Sequence, residues 1–417
     1  MTGSTPEDDR TFVIVGASLT GAKAAETLRA EGFDGRVVLV GEEDDPPYER
    51  PPLSKGYLLG SEERAKAFVH EPGWYDEQRI ELRTGTRAER LDPAAHEITL
   101  AGGERLGYDK LLLATGSQVR RLDVPGADLD GVHYLRRIGH SDTLREVLTE
   151  GARVVVIGGG WIGLEVAAAA RTHGASVALV EMAPLPLQRV LGDELGQVFA
   201  DLHAEHGVDL HLGTGIREIR GRDGRVAAVV LSGDGGDGTE LPADAVVVGV
   251  GIRPAVELAQ EAGLAVDDGV LVDAALRTSD PDVFAAGDVA NAENPLLKRR
   301  IRVEHWANAL NGGPAAARSM LGQDVVYDRV PYFFSDQYDL GMEYSGYAAP
   351  GGYDRVVFRG DPKTREFVAF WLADGRVLAG MNVNVWDVTD DIQRLIRSGT
   401  PVDPDRLADP DVPLAQL

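Results

Sequence analysis

The stretch 154–165 reads VVVIGGGWIGLE. Its four leading apolar residues, Val154–Ile157, predict a buried strand, and the alanine-rich run Val166–Ala170 predicts a helix. Gly158, Gly160 and Gly163 therefore fit GxGxxG between a strand and a helix, the setting in which that spacing has a physical meaning. Gly158 permits the tight turn, Gly160 lets the backbone approach a pyrophosphate, and Gly163 allows close helix–sheet packing. The phosphates then face free N–H groups and the positive end of the helix dipole. Roughly 20 residues further on, this fingerprint needs an acid for the ribose hydroxyls. The predicted strand Ser176–Val180 ends there, at Glu181.

A less regular copy lies near the start of the chain. TFVIVGASLTG at 11–21 supplies Gly16 and Gly21, with Ser18 in the middle position. Ala22–Arg29 has helical composition, Arg36–Val40 reads as a β-branched strand, and Glu42 follows Gly41. Two copies predict an α/β chain with two Rossmann-like domains and two nucleotide cofactors.

At 417 residues the chain exceeds one ordinary core, and about three domains are expected. With 67 acidic against 42 basic side chains the net charge is −25, which argues against nucleic acid or an anionic membrane as general partner. There is no cysteine, so thiolate metal ligation, iron-sulfur ligation and disulfides by this chain are excluded, in keeping with a reducing cytoplasm. The polar, acidic start MTGSTPEDDR reads as a flexible tail without signal peptide or anchor. The most apolar stretch, Val154–Ala170, is interrupted by Gly158–Gly160, Gly163 and Glu165, and so lacks the roughly 20 apolar residues of a membrane span. The Gly-rich run Ser232–Thr239 predicts a hairpin loop.

Five motifs occur in order: GASLTG at 16–21, PPYERPPLSKGYL at 46–58, LLLATGS at 111–117, GGGWIGLE at 158–165 and VFAAGDV at 283–289. Together they resemble the FAD-dependent, NADH-oxidising ferredoxin reductases of the putidaredoxin and rubredoxin reductase type, whose fold is shared by apoptosis-inducing factor. The resemblance runs from about Thr11 onward to the last residues. It implies a glutathione-reductase-like α/β fold: FAD-binding segments at 11–119 and 245–322, an NAD-binding domain at 120–244, and a C-terminal α+β domain at 323–417. Strands are expected there at Arg355–Arg359, Phe367–Leu372 and Val377–Val385, with a helix near Asp387–Arg397.

The same resemblance implies FAD and NADH as cofactors, no metal, and a ferredoxin-type iron-sulfur acceptor for a monomer or weak homodimer. The expected cofactor-binding residues are Gly16, Ser18, Leu19, Gly21, Glu42, Arg50, Ala88, Ala114, Thr115, Gly116, Gly158, Gly160, Ile162, Gly163, Glu181, Arg189, Gly251, Gly287 and Asp288, the first fold holding FAD and the second NADH. The resemblance places Arg50, Gly287 and Asp288 against FAD. Lys55 and Glu165 are the implied catalytic pair, with Glu165 expected in the first turn of its helix. Pro46, Pro47, Pro51 and Pro52 stiffen the loop that carries Arg50 and Lys55. Glu304, His305 and Trp306 are implied near flavin and nicotinamide, His305 without a catalytic part. Phe334 stands where the family usually has tryptophan, which removes an indole N–H donor. Trp386 is a candidate electron exit or a core residue, and the basic run Lys298, Arg299, Arg300 and Arg302 a candidate docking face.

Without cysteine, the dithiol route of lipoamide dehydrogenase and thioredoxin reductase is closed, so electrons that reach the flavin must leave from it. Two other readings stay open on sequence: an NADH oxidase or quinone reductase, and an NADH-responsive redox sensor.

Overall fold

Each of Val154, Val155 and Val156 is apolar, so the strand they belong to has no solvent face and needs neighbours on both sides. The computed structural model describes residues 9–233 and 238–417. In it Arg153–Ile157 runs parallel to Ser176–Glu181 on one side and to Ala245–Val248 on the other. Asp209–Leu212 and Val132–Tyr134 complete this five-stranded sheet. Because the central strand has partners reached in opposite directions, a crevice opens beyond its carboxyl end, where Gly158 begins the glycine loop.

The same arrangement is built around Thr11–Val15. Arg36–Val40 and Lys110–Leu113 flank it, and Ile80–Arg83 and Val283–Ala285 form the edges, all in parallel register. The helices Leu19–Ala30 and Trp306–Met320 pack together almost backbone to backbone: a Cβ on Gly313 would lie 2.2 Å from the Thr20 carbonyl oxygen. That approach brings the segment after Val303 to the loop that follows the first strand.

The chain divides into two units. One comprises the residues up to Glu49, Ala65–Gln118 and Arg253–Pro331; the other comprises Arg50–Arg64, Val119–Ile252 and Tyr332–Leu417. This departs from the expected boundaries in two places. Ala245–Val248, expected to resume the FAD-binding part, is wholly buried in the second unit's sheet, because a strand without a polar residue is satisfied there on both faces. The PPLSK segment, expected within 11–119, belongs to the second unit, where Ser141 donates to the Leu53 carbonyl at 2.9 Å and the Tyr57 hydroxyl bonds Asp142.

Within the second unit, Tyr332–Gln337, Leu340–Gly346, Arg376–Val383, Glu366–Ala373 and Arg355–Asp361 form an antiparallel sheet in that order, with helix Thr389–Ser398 beside it. The expected C-terminal strands and helix are present within a few residues at each end. Trp371 is fully buried and donates its indole N–H to the Leu191 carbonyl at 3.2 Å, so even this large aromatic leaves no polar atom unsatisfied. Arg225–Ser232 pairs with Glu240–Pro242 as the hairpin reading requires, but 234–237 of its loop lie outside the described residues. So do residues 1–8 of the expected tail at 1–10. Among the described residues no helix is long and apolar enough to cross a membrane.

Candidate active site

In the second unit the glycine loop is held by backbone contact. Gly158 has φ 108°, and a Cβ there would lie 2.4 Å from the Gly249 carbonyl oxygen; a Cβ on Gly163 would lie 1.9 Å from the Gly158 carbonyl oxygen. Gly160 is different: its φ is −82° and a Cβ would meet nothing within 4 Å. It caps helix Trp161–Thr172, which has neither a side-chain cap nor an acid in its first turn. The leading N–H groups therefore suit an anion. Ile162, 43% exposed, borders the same helix end. Gly160→Ala is expected to cost the fold about 1 kcal/mol, the difference between glycine and alanine at an N-cap. It should nevertheless raise the NADH dissociation constant at least about tenfold by keeping phosphate off the backbone. Gly163→Ala should instead prevent folding. Thermal melts paired with NADH titrations check both.

Glu181 closes this half of the site. It ends its strand, and its carboxylate accepts from the Gly159 N–H at 2.6 Å and the Ala183 N–H at 2.7 Å, so the charge is fixed against the glycine loop. Arg189 is exposed in the short helix Gln188–Leu191, where it lines a cavity of about 250 Å³ with Tyr353 and Glu194. Gly251, at φ 100°, lies against the Arg120 side chain.

The polar centre of this unit is Glu165. It stands one turn inside its helix, not in the first turn as expected, and is 4% exposed. The register explains this: the helix starts at Trp161, directly after the third loop glycine, so Glu165 faces the packed side and not the dipole end. Lys55 Nζ donates to Glu165 Oε1 at 2.7 Å, Ser335 Oγ to the same oxygen at 2.6 Å, and Ser54 Oγ to Oε2. The Lys55 ammonium also lies 5.3 Å from the Phe334 ring centre, a cation–π contact that needs an aromatic face and no indole N–H. The proline-led turn Pro51–Ser54 and the short helical turn Gly56–Leu59 that follows it hold Lys55 between them, with His173 bonded to the Leu58 carbonyl oxygen at 3.1 Å. Arg50 donates to the Arg136 carbonyl. Trp386 is 53% exposed, its ring lying over Gly341, so the core reading of this residue is not met.

The first unit gathers its own set. Ser18 is the extended N-cap of helix Leu19–Ala30, again with no side-chain cap and no acid in the first turn. Gly16 lies against the Ala114 carbonyl, and Gly21 against Gly16. Thr115 donates to the Ala255 carbonyl at 2.8 Å, Gly116 takes φ 67°, Glu42 is exposed just past its strand, and Ala88 opens the strand Ala88–Asp92. Gly287, at φ 78°, backs onto the Thr20 hydroxyl, which brings VFAAGDV and Asp288 to the helix end. His305 is the N-cap of the helix that starts at Trp306, and Trp306 donates to Glu49 Oε2 at 2.9 Å. Desolvation pushes the His305 imidazole down to about 4, against the opposing pull of Asp288, so it is neutral near pH 7. Glu304 bonds Arg302. An uncapped helix end backed by glycines fits a dinucleotide pyrophosphate in each unit.

The basic run is largely engaged. Arg300 donates to the Val272 carbonyl at 2.6 Å, and Arg302, 13% exposed, pairs with Asp268 at 3.2 Å and with Glu304. Lys298 and Arg299 are the exposed members beside Arg300. A sequence run shows charge but not the acids that neutralise it. Sequence reasoning also missed Ser54, Ser335, Gln337 and His203. For Ser335 and Gln337 the signal was the alternation in PYFFSDQ, which puts both on one strand face.

Residues 10–313 match the family described as pyridine nucleotide-disulphide oxidoreductase, and residues 332–417 match the reductase C-terminal family. The chain is 44% identical to the ferredoxin–NAD(+) reductase component of the anthranilate 1,2-dioxygenase system of Burkholderia cepacia, covering 97% of this chain and 98% of that protein. It is 37% identical to putidaredoxin reductase of Pseudomonas putida, covering 97% and 96% respectively. A crystal structure of the covalent putidaredoxin reductase–putidaredoxin complex superimposes with a TM-score of 0.92 at 36% identity, over 98% of each chain.

Proposed function

This chain belongs to the pyridine nucleotide-disulphide oxidoreductase family, and from that premise we propose that it passes a hydride from NADH to FAD and single electrons onward to a ferredoxin-type iron-sulfur protein. A monooxygenase or ring-hydroxylating dioxygenase is the consumer further on, in line with the oxygenase systems that its relatives' names record. When bound, the flavin supplies the change from two-electron to one-electron chemistry. The family name includes a disulphide, but a chain without cysteine has no dithiol to receive electrons.

The observation that carries this reading is the Lys55–Glu165 pair at 2.7 Å, beside the glycine loop of the second dinucleotide fold. Lys55 and Glu165 orient the nicotinamide carboxamide so that the ring presents its hydride, a contribution from positioning with no proton transfer. The N–H groups after Gly160 hold the NADH pyrophosphate, and Glu181 accepts the adenosine ribose hydroxyls. Ser18, Leu19 and Gly16 do the same for the FAD pyrophosphate, while Asp288 accepts from its ribityl hydroxyls. Trp306, fixed by Glu49, walls the flavin, and the neutral His305 takes no part in proton transfer.

The purified protein is expected to be yellow and to hold about one noncovalent FAD per chain, as two separate dinucleotide folds require. Acid precipitation followed by absorbance of the supernatant measures it. A colourless protein that takes up no FAD on reconstitution contradicts the reading.

A further inference from the structure

Behind Glu165 lies a buried line of polar side chains within the second unit. Ser335 Oγ bonds Glu165 Oε1 at 2.6 Å, Gln337 Nε2 bonds Ser335 Oγ at 3.1 Å, and His203 Nε2 lies 2.9 Å from Gln337 Oε1. The Tyr338 hydroxyl lies 3.4 Å from His203 Nδ1. Ser335 and Gln337 are 1% exposed and His203 is fully buried.

Donor and acceptor chemistry allows one proton order along this line. A carboxylate only accepts, so the single Ser335 proton goes to Glu165. The serine oxygen must then accept from the Gln337 amide, which turns the Gln337 carbonyl oxygen toward His203. That oxygen also only accepts, so His203 carries its proton on Nε2 and leaves Nδ1 to accept from the Tyr338 hydroxyl. Each donor thus points toward Glu165, and chains ordered in one direction strengthen each member bond. Burial pushes the His203 imidazole down to about 4, which keeps it in the neutral form that this order requires.

We propose that His203, Gln337 and Ser335 are positioning residues for hydride transfer: a one-directional hydrogen-bond chain that locks the Glu165 carboxylate in the rotamer facing Lys55. The inference rests on the reading of Lys55 and Glu165 as the nicotinamide-orienting pair. Its chain order, however, can be read without turnover. Among the described residues three donors converge on Glu165, and Ser335 is backed by a buried side-chain network that constrains its hydroxyl. An apolar trio of the same volume would fill the same space without desolvating these polar groups, so packing alone does not account for them.

Two measurements on the holoenzyme test this. Nitrogen-15 NMR of histidine-labelled protein should show His203 as the Nε2–H tautomer, neutral above about pH 5. In Gln337→Glu, which offers His203 and Ser335 a second carboxylate, that signal should move toward the doubly protonated ring. In single-turnover stopped flow, Ser335→Ala and Gln337→Glu should each slow flavin reduction by NADH about tenfold, with the NADH dissociation constant changed by less than about threefold. Ser335→Thr, which restores the hydroxyl, should recover the rate to within about twofold. A wild-type His203 that carries its proton on Nδ1, or that titrates as an ordinary exposed histidine, overturns the chain. Unchanged rates in Ser335→Ala and Gln337→Glu while Glu165→Ala is slow overturn the positioning role and leave the Lys55–Glu165 reading standing. Unchanged rates in all three overturn both.

Discussion

Glu165→Ala is expected to slow NADH-driven flavin reduction about a hundredfold while FAD stays bound, the loss that a misplacement of about 1 Å causes in a reaction that depends on alignment. The carboxylate gathers Lys55, Ser54 and Ser335, so its removal frees the Lys55 ammonium to choose another position and leaves two buried hydroxyls without their acceptor. The Lys55 side chain is only 15% exposed, so this cannot be relieved by simple solvation. Losing one partner of such a pair costs a fold about 3–5 kcal/mol, and Glu165→Gln, which keeps the volume, is the companion variant for separating alignment from stability. Lys55→Ala should show a similar loss from the other side of the pair. Stopped-flow absorbance of the flavin at saturating NADH measures the step directly. Rates within about twofold of the parent in both alanine variants would assign the pair to structure alone.

The second large effect concerns the nicotinamide. NADH should be preferred over NADPH by at least about a hundredfold in kcat/KM, equivalent to roughly 2.7 kcal/mol. Glu181 is held by the Gly159 and Ala183 N–H groups, so it cannot swing away from a 2′-phosphate without losing both bonds. Like charges about 4 Å apart repel by up to about 4 kcal/mol at an effective dielectric of 20, which leaves room for relaxation within the expected preference. Glu181→Arg should narrow the gap by removing the repulsion and supplying a cation. Steady-state kinetics with both nucleotides decide it, and equal use of NADPH by the parent protein would contradict the assignment.

Most of the fold was legible because its signals are local. Arg36–Val40 was read residue for residue, since an apolar β-branched run between glycines leaves little choice, and the loop at 158–163 carries its geometry in three glycines. The helix register that puts Glu165 one turn in was not legible, because the motif fixes the loop and not which side chain meets a distant strand. The sheet that takes up 245–248, expected to open the second FAD-binding segment, was not legible for a related reason: an all-apolar strand fits any sheet buried on both faces, and only pairing distinguishes them. His203 and Gln337 lie 134 residues apart in sequence, and nothing near either one announces the other. Arg302 looked like a surface cation until Asp268 and Glu304 were placed beside it.

The central claim is that electrons enter as NADH hydride and leave singly to an iron-sulfur protein. Its most direct test is the rate of NADH oxidation by the purified, FAD-loaded protein with a panel of ferredoxins, rubredoxin, a quinone and oxygen as alternative acceptors. At least one iron-sulfur protein should be reduced at least about tenfold faster than oxygen or the quinone. Oxygen or quinone turnover as fast as that of every ferredoxin and rubredoxin would contradict the account and point to an oxidase, and a stable NADH complex with dimer formation but no turnover on any acceptor would contradict it in favour of a sensor.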